Sequence, residues 1–373
     1  MVKKANIRRV FPGANTYKGF YSFYDYILPQ DEASRIFILK GGPGTGKSTF
    51  IKRIASDIIN LGLDIECHHC SSDNDSLDGV VIPSLKVAVV DGTAPHIVDP
   101  KAPGAVDEIV NLGECWDETK LMSSRDEILK YNNRIAKLFN IAYSHLKEAK
   151  IAYDEWESYM EAGIDKIRYN EILGAMLKSI FEDVSANYES PPKVRHLFAS
   201  AITPGGIKNY IDTLIDSRMK SYSIEGEPGT GVKKMIQRIA QSAYEKGLFT
   251  EQFHCPFDPD SVDMVIIPEI SIAVLNMSKP FHYNVSKVNG LRFEDRVNLN
   301  ICIQKKEIED YEVELEDAKR RFYYLIASAI EHFSQAKSMH DKVENFYKPA
   351  MDFKMIEEKR QEVLKKILKY KIE

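Results

Sequence analysis

The stretch Gly41-Gly-Pro-Gly-Thr-Gly-Lys-Ser-Thr49 decides the fold of this chain. It satisfies the pattern G-x-x-x-x-G-K-[ST], a glycine-rich loop whose backbone amides cradle phosphate groups. The short apolar run 35–40 before the loop predicts a strand, and apolar residues recur at helical spacing from 47 to 61. A phosphate-binding loop between a strand and a helix is typical of an α/β fold.

The chain carries this loop twice, and the second copy is degenerate. Residues 226–234 read Gly-Glu-Pro-Gly-Thr-Gly-Val-Lys-Lys, so Val232 stands in place of Lys47 and Lys233 in place of Ser48. At a shift of 185 positions, 41–95 aligns with 226–280 without a gap, and 24 of the 55 positions are identical. A shift of 187 aligns 142–181 with 329–368. Similarity held over such lengths indicates an internal repeat.

The repeat predicts two domains, 1–187 and 188–373. Within each, alternating strands and helices predict a parallel sheet flanked by helices. The last third of each half carries apolar residues at helical spacing over a long stretch that Gly163 interrupts in the first half and Pro349 in the second. We therefore expect a long antiparallel helical hairpin on each domain.

The first loop contains the residues expected to bind a nucleoside triphosphate. The glycines let the backbone approach the phosphates, Lys47 reaches the β- and γ-phosphates as a catalytic cation, and the Ser48 hydroxyl binds Mg²⁺. The expected nucleotide-binding residues are Gly41, Gly42, Pro43, Gly44, Thr45, Gly46, Lys47, Ser48 and Thr49.

A second metal-linked carboxylate is expected at the end of a nearby apolar strand. The run 86–91 has this form and ends in Asp91, whereas the matching run of the second half ends in Asn276. The second half has thus lost the lysine, the hydroxyl and the carboxylate together. This joint loss predicts that Ser48 and Asp91 hold the metal, and it makes Asp91 a catalytic candidate.

The general base is not fixed by the sequence. Gly92 follows Asp91, at the position where many ATP hydrolases place a glutamate. The candidate bases are therefore His96 and the acidic turn of Asp73, Asp75 and Asp78. The three acidic residues persist in the second half, which favours a turn or cap role for them. His96 remains a candidate base or γ-phosphate sensor, beside a structural role as a loop histidine.

Composition excludes several classes of protein. A net charge of −5 gives no electrostatic case for nucleic acid as the main partner. The chain has no apolar run of about 18 residues and no apolar signal core, so we expect no membrane partner and a cytoplasmic location. Residues 67–70 read Cys-His-His-Cys but fall in a predicted strand, where side chains packed around a buried strand are favoured over a zinc site.

The first loop resembles that of the P-loop NTPase superfamily, and the tandem layout resembles an uncharacterised bacterial family of P-loop ATPase-like proteins with an intact and a degenerate half. The resemblance implies ATP or GTP with Mg²⁺ as ligands. The leading hypothesis is ATP hydrolysis or ATP-driven switching in the first half, with the second half packed against it as a pseudo-ATPase. The alternatives are a small-molecule or nucleotide kinase, and a non-catalytic ATP sensor or scaffold whose helical hairpins engage a protein partner.

Overall fold

The structure is a computed structural model that describes residues 5–94, 97–186, 188, 191–216, 218–281 and 293–371. Each half forms one six-stranded sheet and one two-stranded hairpin. The strands of the first half are β1 (Ile7–Val10), β2 (Gly13–Thr16), β3 (Gly19–Ser22), β4 (Arg35–Lys40), β5 (Ile65–His69), β6 (Leu77–Ile82), β7 (Val87–Asp91) and β8 (Asp107–Asn111). Those of the second are β9 (Val194–Leu197), β10 (Ser200–Thr203), β11 (Gly206–Asn209), β12 (Lys220–Glu225), β13 (Thr250–His254), β14 (Val262–Ile267), β15 (Ile272–Asn276) and β16 (Phe293–Asn298).

The two large sheets have the same topology. Their strand orders are β1-β5-β6-β7-β4-β8 and β9-β13-β14-β15-β12-β16. The prediction of wholly parallel sheets is wrong for β6 and β14, which run antiparallel to both of their neighbours. Only residues 70–76 join β5 to β6, and a parallel connection needs a crossover of about a dozen residues or more. The sheets are therefore mixed, with mainly parallel strands.

The helices are α1 (Lys47–Asn60), α2 (Glu118–Ser123), α3 (Arg125–Ala162), α4 (Lys166–Phe181), α5 (Val232–Glu245), α6 (Glu312–Tyr347) and α7 (Phe353–Lys369). As the loop pattern predicts, α1 and α5 directly follow the two glycine loops. Their apolar faces pack on the sheets, as Phe50 and Ile54 of α1 do against Phe37 and Val89. None of the helices in the described part of the chain has the length and apolarity needed to cross a bilayer.

The long helices α3 and α6 pack antiparallel against each other. Ring contacts run from Tyr131 against Phe346 at one end to Tyr159 against Tyr311 at the other. The expected hairpin within each half is therefore wrong. The helix α4 has 16 residues and α3 has 38, so α4 would cover less than half of α3, whereas α6 has 36 residues and matches its length.

The short helices α4 and α7 are exchanged between the halves. Ile356, Val363 and Ile367 of α7 are buried in the core of the first sheet. Met176 and Ile180 of α4 are buried in the core of the second. Burial of each such side chain contributes about 1.5–3 kcal/mol, so each core depends on a helix from the other half.

The two sheets meet at their edge strands β1 and β9. Just beyond them, Phe11 and Phe198 exchange backbone hydrogen bonds of 2.9 and 3.0 Å. Beside this contact, two partly buried arginines form a network with two buried glutamates. Its ion pairs include Arg8 with Glu251 at 2.7 Å, Arg195 with Glu66 at 2.5 Å and Arg195 with Glu251 at 3.2 Å. Both halves contribute one arginine and one glutamate, so the network joins them reciprocally.

Candidate functional site

The first glycine loop connects β4 to the N-terminus of α1. Gly44 and Gly46 have φ of +69° and +85°, which glycine adopts without strain. The buried Thr45 hydroxyl donates to the Gly42 carbonyl at 2.9 Å and closes the loop on itself. Thr49 lies exposed in the first turn of α1. The loop amides precede a helix N-terminus, which is a favourable environment for anions.

Lys47 and Asp91 come together at this loop. The Lys47 ammonium donates to the carbonyls of Gly41 and Gly42 at 2.8 and 2.9 Å, and its Nζ lies 3.7 Å from Asp91 Oδ2. Asp91 ends β7, which pairs in parallel with β4 and so ends at the same edge of the sheet. Its Oδ1 accepts from the Thr93 amide at 2.9 Å and from the Thr93 hydroxyl, which fixes the carboxylate.

Ser48 is anchored to the neighbouring strand. Its Oγ accepts the Leu77 amide hydrogen at 3.0 Å, at the first residue of β6. Ser48 and Asp91 carry the oxygen ligands that Mg²⁺ prefers, and that ion keeps several waters and phosphate oxygens rather than an all-protein cage. In the described residues, no group of three or more His, Cys, Asp or Glu side chains is arranged to hold a metal. The donor set thus fits a Mg²⁺ that is held jointly with phosphates.

Asp78 is a residue that sequence reasoning assigned to the acidic turn and that the structure places in β6. The register pairs Gly79 with Val90, which sets Asp78 directly opposite Asp91 on the same face of the sheet. The Tyr24 hydroxyl donates to Asp78 Oδ2 at 2.7 Å. Burial, followed by the charge of Asp78, raises the pKa of Tyr24 well above its ordinary value and keeps the phenol a donor.

The rest of the acidic segment forms a turn, in both halves. Asp73 accepts from the Ser76 hydroxyl at 2.7 Å, and its carbonyl accepts from the Ser76 amide at 2.9 Å. Asp258 makes the matching bonds to Ser261 at 3.2 and 3.0 Å. These contacts explain why the acidic residues persist in the degenerate half. His96, the other candidate base, lies outside the described residues.

In the second half, side chains from both halves surround the lysine that replaces Ser48. The Lys233 ammonium lies 3.6 Å from Glu157 and 3.7 Å from Asp258, and 4.4 Å from the ring centroid of Tyr153. Burial alone would lower the pKa of Lys233, but the neighbouring Tyr153 and carboxylates outweigh it and hold the pKa above its ordinary value. The residue that stands in place of Ser48 therefore carries a cation held between two carboxylates.

Asn276, the counterpart of Asp91, also has a new partner. Its amide donates to Asp263 at 2.8 Å. Where the first half has two opposed carboxylates, Asp78 and Asp91, the second half has a carboxylate that is hydrogen-bonded to a neutral amide. Around this site lies a cavity of about 250 Å³, bounded by Gly226, Lys233 and Asn276 among others.

Each loop is covered by the long helix of the other half, which sequence reasoning missed. A Cβ added at Gly44 would lie 3.1 Å from the Glu344 carbonyl oxygen, and one at Gly42 would lie 2.8 Å from the Tyr347 ring. In the second half, a Cβ at Gly229 would lie 2.3 Å from the Glu157 carbonyl oxygen. Glu157 and Glu344 are equivalent positions of the repeat at the 187-residue shift. The repeat in the sequence therefore relates the two contacts to each other.

The Cys67–Cys70 segment makes ordinary packing contacts. The ring of His69 contacts Arg9 at 3.0 Å and Tyr210 at 3.3 Å. Burial, with the charge of Arg9, lowers the pKa of His69 to about 3. Burial also raises the pKa of Cys67 to about 11, so this thiol stays protonated at neutral pH.

The comparisons with known proteins identify no relative. No protein family, curated protein or solved structure matches this chain.

Proposed function

We propose that the first half binds a nucleoside triphosphate, ATP or GTP, with Mg²⁺ and hydrolyses it, so that the protein works as an ATPase or ATP-driven switch. The observation that carries the proposal is the approach of Lys47 to Asp91 at the N-terminus of α1, under a loop with two left-handed glycines. Lys47 would contact the β- and γ-phosphates, and the loop amides would surround them.

Ser48 and Asp91 would hold the Mg²⁺, which supplies positive charge to the triphosphate when bound. Asp78, opposite Asp91, adds a second carboxylate at the same edge and would accept hydrogen bonds from metal-bound water. The second half supports this assignment, because Lys233 and Asn276 replace a hydroxyl and a carboxylate with a permanent cation and a neutral amide. We infer that this half binds no Mg²⁺ and serves as a pseudo-ATPase.

The test is equilibrium binding of ATP in the presence of Mg²⁺, followed by phosphate release without any added acceptor. Lys47→Ala should weaken binding about 10- to 100-fold, since a charge-assisted hydrogen bond contributes ~1.5–3 kcal/mol. Lys52→Ala, on an exposed position of the same helix, is the matched control and should bind like the wild type. Equal binding by the Lys47 variant and the wild type would refute the assignment, and phosphate transfer only to an acceptor would favour a kinase.

A further inference from the structure

The structure brings residues of α6 to the first loop, and their counterparts on α3 show which space they surround. In the second half, Glu157, Asp258 and the ring of Tyr153 converge on the Lys233 ammonium. This nitrogen lies at the end of a side chain that starts at the position of Ser48. The three groups therefore surround a point that a lysine side chain at the position of Ser48 would reach.

The same three positions in the first half are Glu344, Asp73 and His340. Lys337, two turns before Glu344 on α6, lies 3.7 Å from Asp73, which sets this face of α6 against the turn after β5. Asp73 in turn binds Ser76, whose neighbour Leu77 binds Ser48. A continuous chain of contacts therefore runs from Ser48 to α6.

Glu344 lies against the first glycine loop. Its backbone touches Gly44, three residues before Lys47, and its side chain is 24% exposed. One carboxylate oxygen pairs with Lys348 at 2.9 Å, and the other lies 3.7 Å from His340 Nδ1. Burial lowers the pKa of His340, so at pH 7 the neutral imidazole adds no second positive charge beside Glu344.

We propose that Glu344, supplied by the second half, is the carboxylate that activates the attacking water, an inference that rests on the proposed hydrolysis of ATP in the first half. The water oxygen forms a bond to the γ-phosphorus, and the bond from that phosphorus to the bridging oxygen of ADP breaks. The water proton passes to Glu344, and the electron pair of the broken bond stays on ADP. Many ATP hydrolases place a glutamate directly after the metal-linked carboxylate, where this chain has Gly92. Glu344 would supply the missing base from the other half.

The degenerate half retains a similarly placed glutamate with a different partner. Glu157 lies 3.6 Å from the Lys233 ammonium, whose side chain extends from the position of Ser48, whereas the cation beside Glu344 is Lys348 of its own helix, at 2.9 Å. Because the long helix of each half covers the loop of the other half, hydrolysis in the first half would depend on the folded state of the second.

The test compares Glu344→Gln with Glu331→Gln, an exposed position on the same helix. Gln keeps the packing of Glu344 on Gly44 and removes its proton acceptor. We expect ATP binding within threefold of the wild type and turnover lower by about 10²- to 10⁴-fold. Glu331→Gln should match the wild type in both measurements.

The other outcomes separate the two proposals. Turnover by Glu344→Gln within threefold of the wild type would overturn the role of Glu344 and leave the proposed function standing. Loss of ATP binding in that variant would also overturn it, because Glu344 would then act in binding. A wild-type protein that binds no ATP, or releases no phosphate from it, would overturn the proposed function itself.

Discussion

The retained glycines of the degenerate loop can be tested without any nucleotide. Gly229 has φ of +87°, and a Cβ added there would lie 2.3 Å from the Glu157 carbonyl oxygen and 2.9 Å from Met160 Cβ. Gly206, in the β10–β11 hairpin, has φ of +95° but open space around the same position. The pair Gly229→Ala and Gly206→Ala therefore shares a backbone cost and differs in the contact with α3.

The expected magnitudes follow from these two terms. A left-handed conformation costs an L-residue about 1–2 kcal/mol, which both variants incur. Overpacking adds about 1–3 kcal/mol, and it applies to Gly229→Ala alone because backbone of α3 must move. We expect a loss of about 1–2 kcal/mol for Gly206→Ala and about 2–5 kcal/mol for Gly229→Ala.

Urea unfolding followed by tryptophan fluorescence measures the difference. Trp156 lies buried on α3 and contacts Phe322 of α6, so its emission reports the packing of the long helices. Equal losses of unfolding free energy in the two variants would refute the argument that the second loop keeps Gly229 for helix packing. A larger loss in Gly229→Ala would support it.

Two further predictions concern the interface between the halves. Arg195→Met should lower the free energy of unfolding by roughly 1.5–3 kcal/mol, because the buried Glu66 and Glu251 lose one of their two arginine partners. Urea titration measures this loss, and Arg218→Met, at an exposed position, should leave the urea midpoint unchanged. Burial and the neighbouring His196 lower the pKa of His254 to about 4. The unfolded chain therefore binds more protons than the folded chain between pH 6.5 and 4, so the free energy of unfolding decreases as the pH is lowered through that window. His254→Gln should flatten this fall by up to ~3 kcal/mol, measured as urea midpoints against pH.

The local elements near the loops were predictable from the sequence. A strand, a glycine loop and a helix follow one another in a short window, and each leaves a direct signature in residue type and spacing. The proximity of Asp91 to Lys47 followed from the rule that parallel strands end at the same edge of the sheet. The antiparallel direction of β6 was also within reach, because residues 70–76 are too few for a crossover.

The position of Asp78 needed the strand register. In the sequence, it belongs to a run of acidic residues with Asp73 and Asp75, and nothing in that run distinguishes its side chain. Pairing of Gly79 with Val90 turns it toward Asp91. A shift of one residue would have turned it to the other face, so the site depends on a register that composition does not encode.

The sequence by itself determined that the chain is duplicated, that one loop keeps its lysine and hydroxyl, and that the long helices carry apolar stripes. Tertiary structure decided what covers those stripes. Because the two halves are copies, an apolar stripe in one half is complementary to helices of either half, and periodicity cannot distinguish these partners. Helix length and core packing select α6 for α3 and send α4 and α7 to opposite sheets. Tertiary structure also places Glu344 of α6 at the first loop and Glu157 of α3 at the second.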